Sequence, residues 1–317
     1  SEMCIRDSSK GDAVDALRMG VDVQELINNA IPINLTSPTN LNDNSPSMPR
    51  LKITRLSDVK STYVQWLWKN RIPIGKNTVF SGDPNVGKSW LTLAIASRVS
   101  RGGGWPDGEN CDVGNVLLIT AEDGLEDTVV PRLNKLEADL SKINHVSMSV
   151  SLVGQETDKE GLVLGKHLKQ IEDVLVSKDI RLLVIDPVTA VVGNKNSYKA
   201  TDVRQLMTPV TDMAERTQTS IITVMHNNKN SGELNAMYRV SGSGDFVAVA
   251  RSVYLVAQHP DDDNLRIFSA VKSNLSHPAR SLAFTISQEE GFTWSNEPVS
   301  LTAQDLLLAS QNIESTT

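Results

Sequence analysis

Short runs of β-branched and other apolar residues, separated by stretches with helical periodicity, recur along most of the chain. The strand-like runs are residues 78–81, 115–120, 181–185 and 220–225. Strands that alternate with helices in this way predict a parallel sheet joined by crossover connections. The fold class expected from the pattern is therefore α/β, a mostly parallel sheet flanked by helices.

The pattern changes towards the C-terminus. The clearest helical stretch carries apolar residues at helical spacing, among them Val203 and Met207, and it contains Pro209, which is expected to kink it. Beyond residue 250, strand-like runs follow one another without helices between them, which predicts antiparallel strands added at the C-terminal edge of the sheet. These predicted strands are residues 251–258, 266–271 and 282–287.

Composition also divides the chain into segments. Residues 1–8 read Ser-Glu-Met-Cys-Ile-Arg-Asp-Ser without an initiator Met, and we interpret them as a translated sequencing adapter at the start of an N-terminal remnant, residues 1–30. Residues 31–50 hold four prolines among asparagines and serines, which predicts a linker. The main domain is expected over 51–299, and 300–317 is expected to form a C-terminal helix and tail that lead into a truncated region.

Bulk properties exclude several classes of protein. The net charge of −7 and an aromatic content of 4% argue against a surface coated with nucleic acid, so any DNA binding would need a local basic feature. Two distant cysteines predict neither a disulfide framework nor a metal site. Because no apolar run approaches the ~20 residues of a membrane span, we expect no membrane partner. No signal peptide is visible, so we expect a cytoplasmic protein.

One motif carries specific chemistry. Residues 82–89 match G-x-x-x-x-G-K-[ST] in full, after a predicted strand at 77–81 and before a predicted helix at 90–99. The glycines let backbone N–H groups point at a phosphate, while Lys88, expected to face solvent, reaches the β and γ oxygens and Ser89 ligates Mg²⁺. ATP and Mg²⁺ are the expected cofactors. The expected nucleotide-binding residues are Gly82, Asp83, Pro84, Asn85, Val86, Gly87, Lys88, Ser89 and Trp90.

Three polar residues follow the other predicted parallel strands. Glu122 is placed to polarise a water that attacks the γ-phosphate, although an acid pair stabilised by a helix dipole explains Glu122-Asp123 equally well. Asp186 ends an apolar strand, where a charge needs solvent, Mg²⁺ or a partner. His226 suits a γ-phosphate sensor or, equally, a local capping or core partner.

The chain resembles a known family in the order of its motifs. It resembles the RecA-like P-loop ATPases, a type of AAA family ATPase, found in plasmid and phage replicative helicases. These are relatives of the hexameric helicase of broad-host-range plasmids and, more remotely, of DnaB-type helicases. The matching residues are Gly82-Asp83-Pro84, Gly87-Lys88-Ser89, Trp105-Pro106-Asp107-Gly108, Ala121-Glu122-Asp123, Pro131-Arg132-Leu133, Ile185-Asp186-Pro187-Val188-Thr189 and Tyr238-Arg239-Val240-Ser241-Gly242-Ser243.

The resemblance implies a ring-forming motor, a homo-oligomer of hexameric type, on single-stranded DNA. It implies Glu122 as catalytic base, Ser89 and Asp186 as Mg²⁺ ligands and His226 as γ-phosphate sensor. Arg239 falls on the arginine that completes a neighbour's site. Lys272 falls on a family lysine that makes a contact in trans, but the following residues lack the arginine of the Lys-x-Arg pattern of DnaB-type relatives.

Residues 10–17 are similar to the end of the primase-like (Toprim) domain that precedes such ATPases in fused primase–helicases. Under this interpretation the chain is a fragment of a primase–helicase, and residues 1–30 are the tail of its upstream domain.

Two segments are candidates for DNA contact, because each follows a strand at the carboxyl edge of the sheet. They are 189–201, with Lys195 and Lys199, and 227–245, with Lys229. Mobile surface loops without a partner are the alternative. The function expected is an ATP-driven motor of the replicative-helicase class. The alternatives are a RecA-like regulatory or recombination ATPase that does not unwind DNA, and an assembly or loader module that uses ATP as a structural ligand.

Overall fold

A computed structural model describes residues 53–147, 150–152, 155–157, 162–193, 200–227, 244–297 and 299–314. Its strands are β1 Trp66–Trp68, β2 Ile72–Pro73, β3 Asn77–Gly82, β4 Gly103–Gly104, β5 Asn110–Cys111, β6 Asn115–Thr120, β7 Ile143–His145, β8 Val150–Leu152, β9 Gln155–Thr157, β10 Ile180–Asp186, β11 Ser220–His226, β12 Ser252–His259, β13 Asp262–Ser273, β14 Leu282–Ser287 and β15 Gly291–Trp294. Its α-helices are α1 Lys88–Arg101, α2 Val130–Lys135, α3 Leu164–Ser177, α4 Ala200–Thr217, α5 Gly244–Val249 and α6 Ala303–Glu314.

The main sheet has nine strands in the order β15-β14-β13-β12-β3-β11-β10-β6-β7. The strands from β12 to β7 in this order pair in parallel, whereas β12, β13, β14 and β15 pair antiparallel. This confirms the predicted α/β class, with a mostly parallel sheet and antiparallel strands at one edge.

Each central strand is buried on both faces, which explains its continuous apolar run. In β10, Leu183 and Ile185 belong to one hydrophobic cluster, while Leu182 and Val184 belong to the other. Alternate residues of a strand point to opposite faces, so the two clusters lie on the two sides of the sheet. Helix α1 contributes to one cluster, and α3, α4 and α6 contribute to the other.

Most predicted elements form within four residues of the expected bounds, and Pro209 lies inside α4 as expected. The predicted helix at 300–313 is α6, whose Ala303, Leu306 and Leu307 are buried. Of the nine strands of the main sheet, β7 and β15 were not predicted. Each is four residues long or fewer and mixes polar with apolar residues, so its sequence lacks a strand pattern and its pairing partner decides it.

The chain divides into two units, Ser1–Lys60 and Ser61–Thr317. Within the first, the described residues form a single turn at Leu56–Asp58. The predicted remnant at 1–30 and linker at 31–50 lie outside the described residues. No helix in the described part of the chain has the length and apolarity to cross a membrane.

Candidate active site

The loop between β3 and α1 curls because two of its residues adopt left-handed backbone conformations. Asn85 has φ 65°, and Gly87, which caps α1, has φ 93°. A side chain at Gly87 would also collide with Ile286. Gly82 lies so close to the neighbouring strand β12 that a Cβ would overlap the Val256 carbonyl oxygen. Both motif glycines are therefore required by the geometry, and the free N–H groups at the start of α1 surround the space above the loop.

Lys88 lies against this loop. Its ammonium donates to the carbonyl oxygens of Gly82 at 2.9 Å and Asp83 at 2.7 Å. The residue is 5% exposed, so the expectation that Lys88 faces solvent was wrong: the loop folds around its own lysine. Burial lowers the pKa of the Lys88 ammonium to about 8, against the opposing influence of Asp186, Asp83 and Glu122.

His226 ends β11, directly beside Gly82 at the end of β3. Its Nδ1 lies 3.3 Å from Lys88 Nζ. Because an ammonium can only donate, Nδ1 accepts and the ring proton is on Nε2. Burial, and then the charge of Lys88, lower the pKa of His226. The imidazole is therefore neutral at neutral pH, with Nε2–H available to donate.

Asp186 ends β10, the next strand of the sheet. Its carboxyl is hydrogen-bonded to the Ser89 side chain, and Thr92 Oγ1 lies 3.5 Å from its Oδ2. Burial raises the pKa of Asp186 to about 6, while the Ser89 hydrogen bond and the Lys88 charge act in the opposite direction. Two oxygen ligands, the Ser89 hydroxyl and the Asp186 carboxylate, thus lie together at the start of α1.

Glu122 lies two residues after β6, which pairs with β10. The side chains of Ser89, Glu122, Asp123 and Asp186 line one cavity. The helical segment that follows begins at Leu125, and the acids in its first turn are Glu126 and Asp127. Glu122 and Asp123 are therefore not an acid pair in the first turn of a helix. Within the described part of the chain, no hydrogen bond holds the Glu122 carboxylate. The ends of four neighbouring strands therefore bring a lysine, a histidine and three carboxylates to one edge of the sheet.

A model of the AAA domain family matches residues 44–232, which is more than half of the chain. This range contains the phosphate-binding loop, Glu122, Asp186 and His226. The chain belongs to the AAA domain family. It is therefore a nucleotide-dependent ATPase built on a P-loop. A comparison with functionally curated proteins finds no significant match.

The sequence did not predict three polar pairs of this AAA ATPase site, although Asp123 and Arg132 belong to motifs that carry the resemblance. Ser81 Oγ donates to Asn227 Oδ1 at 2.6 Å, directly beneath the loop. Thr120 Oγ1 and His145 Nε2 lie 3.2 Å apart. The third pair is Arg132 with Asp123. Thr120 ends β6 and Asn227 directly follows β11, so each lies beside a predicted site residue. This position in the sequence could have identified both residues.

Lys272, predicted to make a contact in trans, is bound within its own chain. Its ammonium donates to the carbonyl oxygens of Val247 at 2.8 Å, Ala248 at 3.2 Å and Ala250 at 3.0 Å. Burial and the charge of Arg251 lower its pKa. In this conformation, the lysine caps the carboxyl end of α5, where a positive charge complements the helix dipole.

Four predicted site residues, Lys195, Lys199, Lys229 and Arg239, lie outside the described residues. Their roles stay predictions. The flanks of the two segments that carry them are described. The segment 189–201 begins within the turn Val188–Val191 that follows β10 and ends at the start of α4, and the segment 227–245 begins directly after β11 and ends at the start of α5. Both segments thus leave the sheet at the edge that carries Asp186 and His226.

The oxygen donors at this edge fit a hard divalent cation shared with phosphate groups. In the described ranges, no three or more His, Cys, Asp or Glu side chains group as an all-protein metal site. Mg²⁺ is usually held by one or two carboxylates together with substrate phosphates and water, and does not require such a group. Ser89 and Asp186 are the residues that fit this role.

Proposed function

We propose that this AAA ATPase is the ATP-hydrolysing motor of a replicative DNA helicase, acting on single-stranded DNA as a homo-oligomer, with a hexameric ring as the expected assembly. The observation that carries the proposal is that β10 and β11 end in Asp186 and His226 at the phosphate site. The segments that follow these two strands hold the candidate DNA-contacting lysines. Each of these two strand ends thus connects a residue at the phosphate site to a candidate DNA-contacting segment.

The residues at the site have the chemistry that ATP hydrolysis needs. Lys88 supplies positive charge to the β and γ oxygens, and Glu122 accepts a proton from, or orients, the attacking water. His226 donates from Nε2 to the γ-phosphate, and loses this partner when the phosphate leaves. Because Asn227 follows His226 immediately, a change at His226 displaces the start of the 227–245 segment.

Mg²⁺ is the proposed metal, with Ser89 and Asp186 as its protein ligands. When bound, it neutralises charge on the β and γ phosphate oxygens. Asp186 must be ionised to hold it. Since burial raises the pKa of Asp186 to about 6, this carboxylate is mostly charged at neutral pH and loses its charge as the pH falls through 6.

The net charge of −7 favours one competing function, a RecA-like regulatory or recombination ATPase that binds DNA or protein without unwinding. Strand displacement on a forked duplex, with ATP turnover measured in the same samples, distinguishes the two. ATP-dependent displacement supports the helicase motor. Turnover stimulated by single-stranded DNA without displacement supports the competing function, and turnover indifferent to DNA contradicts both DNA-directed functions.

We expect Lys195→Ala and Lys199→Ala each to weaken binding of single-stranded DNA to a similar degree for all base compositions. Each lysine that contacts a phosphate releases about one counterion, so its loss reduces the slope of log affinity against log salt by about 0.7 for single strands. Fluorescence anisotropy with oligonucleotides of two base compositions, across a series of salt concentrations, measures both effects.

Lys169→Ala is the matched control for this prediction. Lys169 is an exposed lysine on α3 whose ammonium pairs with Asp173 at 2.9 Å. It lies outside both candidate segments, and its removal should leave the salt slope unchanged. If both loop variants keep the wild-type slope, the DNA site lies elsewhere or does not exist.

We expect Arg239 to act on the ATP bound by a neighbouring subunit. Arginine presents a permanently charged, planar set of donors that suits a phosphate, and such contributions are worth ~10³–10⁵ in rate. Arg239→Ala and Lys88→Ala subunits should each be inactive alone. Mixed together, they should regain part of the ATPase activity, because some neighbours combine an intact loop with an intact arginine.

The control is a mixture of Lys88→Ala with Glu122→Gln subunits. Both residues serve the same subunit's site, so no pairing of neighbours restores a complete site and the mixture should stay inactive. Absence of recovery in the Arg239 mixture, with co-assembly demonstrated by native mass spectrometry, contradicts the action in trans, as does full activity of Arg239→Ala alone.

A further inference from the structure

Arg132 contacts both the loop that carries Glu122 and the start of α1 at the phosphate-binding loop. Its Nη1 donates to Asp123 Oδ2 at 3.0 Å, and the two side chains are 27% and 32% exposed. Its guanidinium carbon also lies 5.2 Å from the centroid of the Trp90 ring. Asp123 follows Glu122 and Trp90 follows Ser89, so one side chain contacts the neighbours of both the proposed base and a phosphate-loop residue.

The backbone that carries Arg132 is firmly held. After Gly124 the chain forms a π-helical turn, Leu125–Val129, in which the N–H groups of Thr128 and Val129 donate to the Gly124 carbonyl oxygen. Helix α2 continues this turn and directs Arg132 back towards Asp123. Val129 and Leu133 are each 2% exposed and anchor the segment in the core. The guanidinium therefore projects from a fixed base.

The other contact of Arg132 is also rigid. A Cβ at Gly291 would lie 3.2 Å from one atom of the Trp90 ring and 3.3 Å from another, so the indole packs against the start of β15. Gly291 has no Cβ, which permits this close approach, and its φ of 74° independently favours glycine. Trp90 is thus confined between the β14–β15 turn and the Arg132 guanidinium, and it presents its ring face to a cation.

Glu122, in contrast, lies on an exposed loop, and no hydrogen bond from a described residue restrains its carboxylate. A displacement of about 1 Å at a catalytic group can lower the rate about 10²-fold. On one side of Glu122, the Ala121 N–H donates to the Asp186 carbonyl oxygen at 3.2 Å. On the other side, the restraint within the described residues is the ion pair of Asp123 with Arg132. Both charged groups are partly shielded from solvent, so the restraint exceeds that of a fully exposed pair.

We propose that Arg132 is a positioning residue for ATP hydrolysis. By contacting Asp123 and Trp90 together, it fixes the Glu122 loop at a set distance from the phosphate-binding loop. The proposal rests on the proposed role of Glu122 as the base. Arg132 itself contacts neither Glu122 nor the phosphate-loop residues Lys88 and Ser89 in the described interactions, so it acts through Asp123.

The test compares Arg132→Gln and Arg132→Lys in basal ATP turnover, measured without DNA. Gln removes the charge, and we expect kcat to fall about 10- to 100-fold while the Kd for a non-hydrolysable ATP analogue changes less than about twofold. Lys keeps the charge but lacks the planar fork, so it should recover part of the lost kcat. Both replacements are good helix formers, so a purely structural effect on α2 would not separate them.

Arg101→Gln is the matched control. Arg101 Nη1 pairs with Glu137 at 3.3 Å near the carboxyl end of α1, away from the cavity, and its loss should leave kcat unchanged. Asp123→Asn should reproduce the fall caused by Arg132→Gln. The double variant should lose no more than the more severe of the two single variants, because both remove the same contact.

Two results would overturn the proposal. One is a wild-type kcat for Arg132→Gln while Glu122→Gln is inactive, because the base would then work without its restraint. The other is a result in which both Arg132→Gln and Arg132→Lys lose kcat and lose analogue binding or thermal stability to the same extent. If Glu122→Gln itself keeps full turnover, the assignment of the base fails first, and that result is distinct because it involves no Arg132 variant.

Discussion

Replacement of Lys88 by alanine is expected to lower ATP turnover about 10³-fold or more while the fold is retained. Lys88 is the one side chain of the loop whose positive charge lies against the phosphate position, and preorganised charges of this kind supply a large part of the stabilisation of a transition state. Because the ammonium is buried, it loses little stabilisation to solvent screening. Steady-state turnover and the Kd for ATP measure the effect.

The fold should survive because the acceptors of Lys88 are not all left without donors. The Gly82 carbonyl oxygen keeps the hydrogen bond from the Asn227 N–H at 3.2 Å. A small decrease in melting temperature is therefore expected, with unchanged circular dichroism. Lys76→Ala serves as control, since Lys76 pairs with Glu215 at 2.8 Å, away from the loop, and its loss should leave turnover intact. Turnover by Lys88→Ala at the wild-type rate would refute the assignment of the phosphate-binding loop.

Glu122→Gln is expected to reduce kcat about 10²- to 10⁴-fold and to leave ATP binding intact. The substitution keeps the shape of the side chain and a hydrogen-bonding oxygen, but it removes the basic carboxylate that accepts a proton. Single-turnover hydrolysis measures the chemical step, and binding of a fluorescent ATP analogue measures affinity. The two values together separate a role in catalysis from a role in binding.

Glu137→Gln is the matched control for Glu122→Gln. Glu137 is a carboxylate on the surface whose partner is Arg101, so its neutralisation should change neither binding nor turnover. Loss of nucleotide binding in Glu122→Gln with an unchanged rate for the ATP that still binds would reassign Glu122 to a structural role.

The sequence predicted the elements that depend on local rules. These elements are the parallel strands, the helix after the loop and the antiparallel strands beyond residue 250. Each can be recognised from the pattern of apolar residues within its own segment. The phosphate-binding loop could be predicted equally well, because its two glycines meet local requirements that other residues do not: Gly87 has a left-handed backbone conformation, and Gly82 leaves no room for a Cβ. Strands β7 and β15 were missed because only their pairing with β6 and β14 defines them.

Burial and partner choice at the site could not be read from the sequence. The expectation of an exposed Lys88 failed because exposure depends on how the loop curls around the side chain. Lys272 was expected to make a contact in trans, yet its three acceptors are the carbonyl oxygens at the end of α5, which the fold of β13 brings within reach. A trans role for Lys272 would require these three hydrogen bonds to break.

The sequence alone determined which chemical groups this ATPase has and that they follow strands, because strand ends and loop glycines are encoded locally. Only the tertiary structure decided the order of the strands, with β12 beside β3 and β11 between β3 and β10. That order is set by packing the two hydrophobic clusters on opposite faces of the sheet, a global property. It brings Lys88 to His226, Ser89 to Asp186 and Arg132 to both Asp123 and Trp90. The local sequence supplies these side chains, and the packing of the sheet makes them a site.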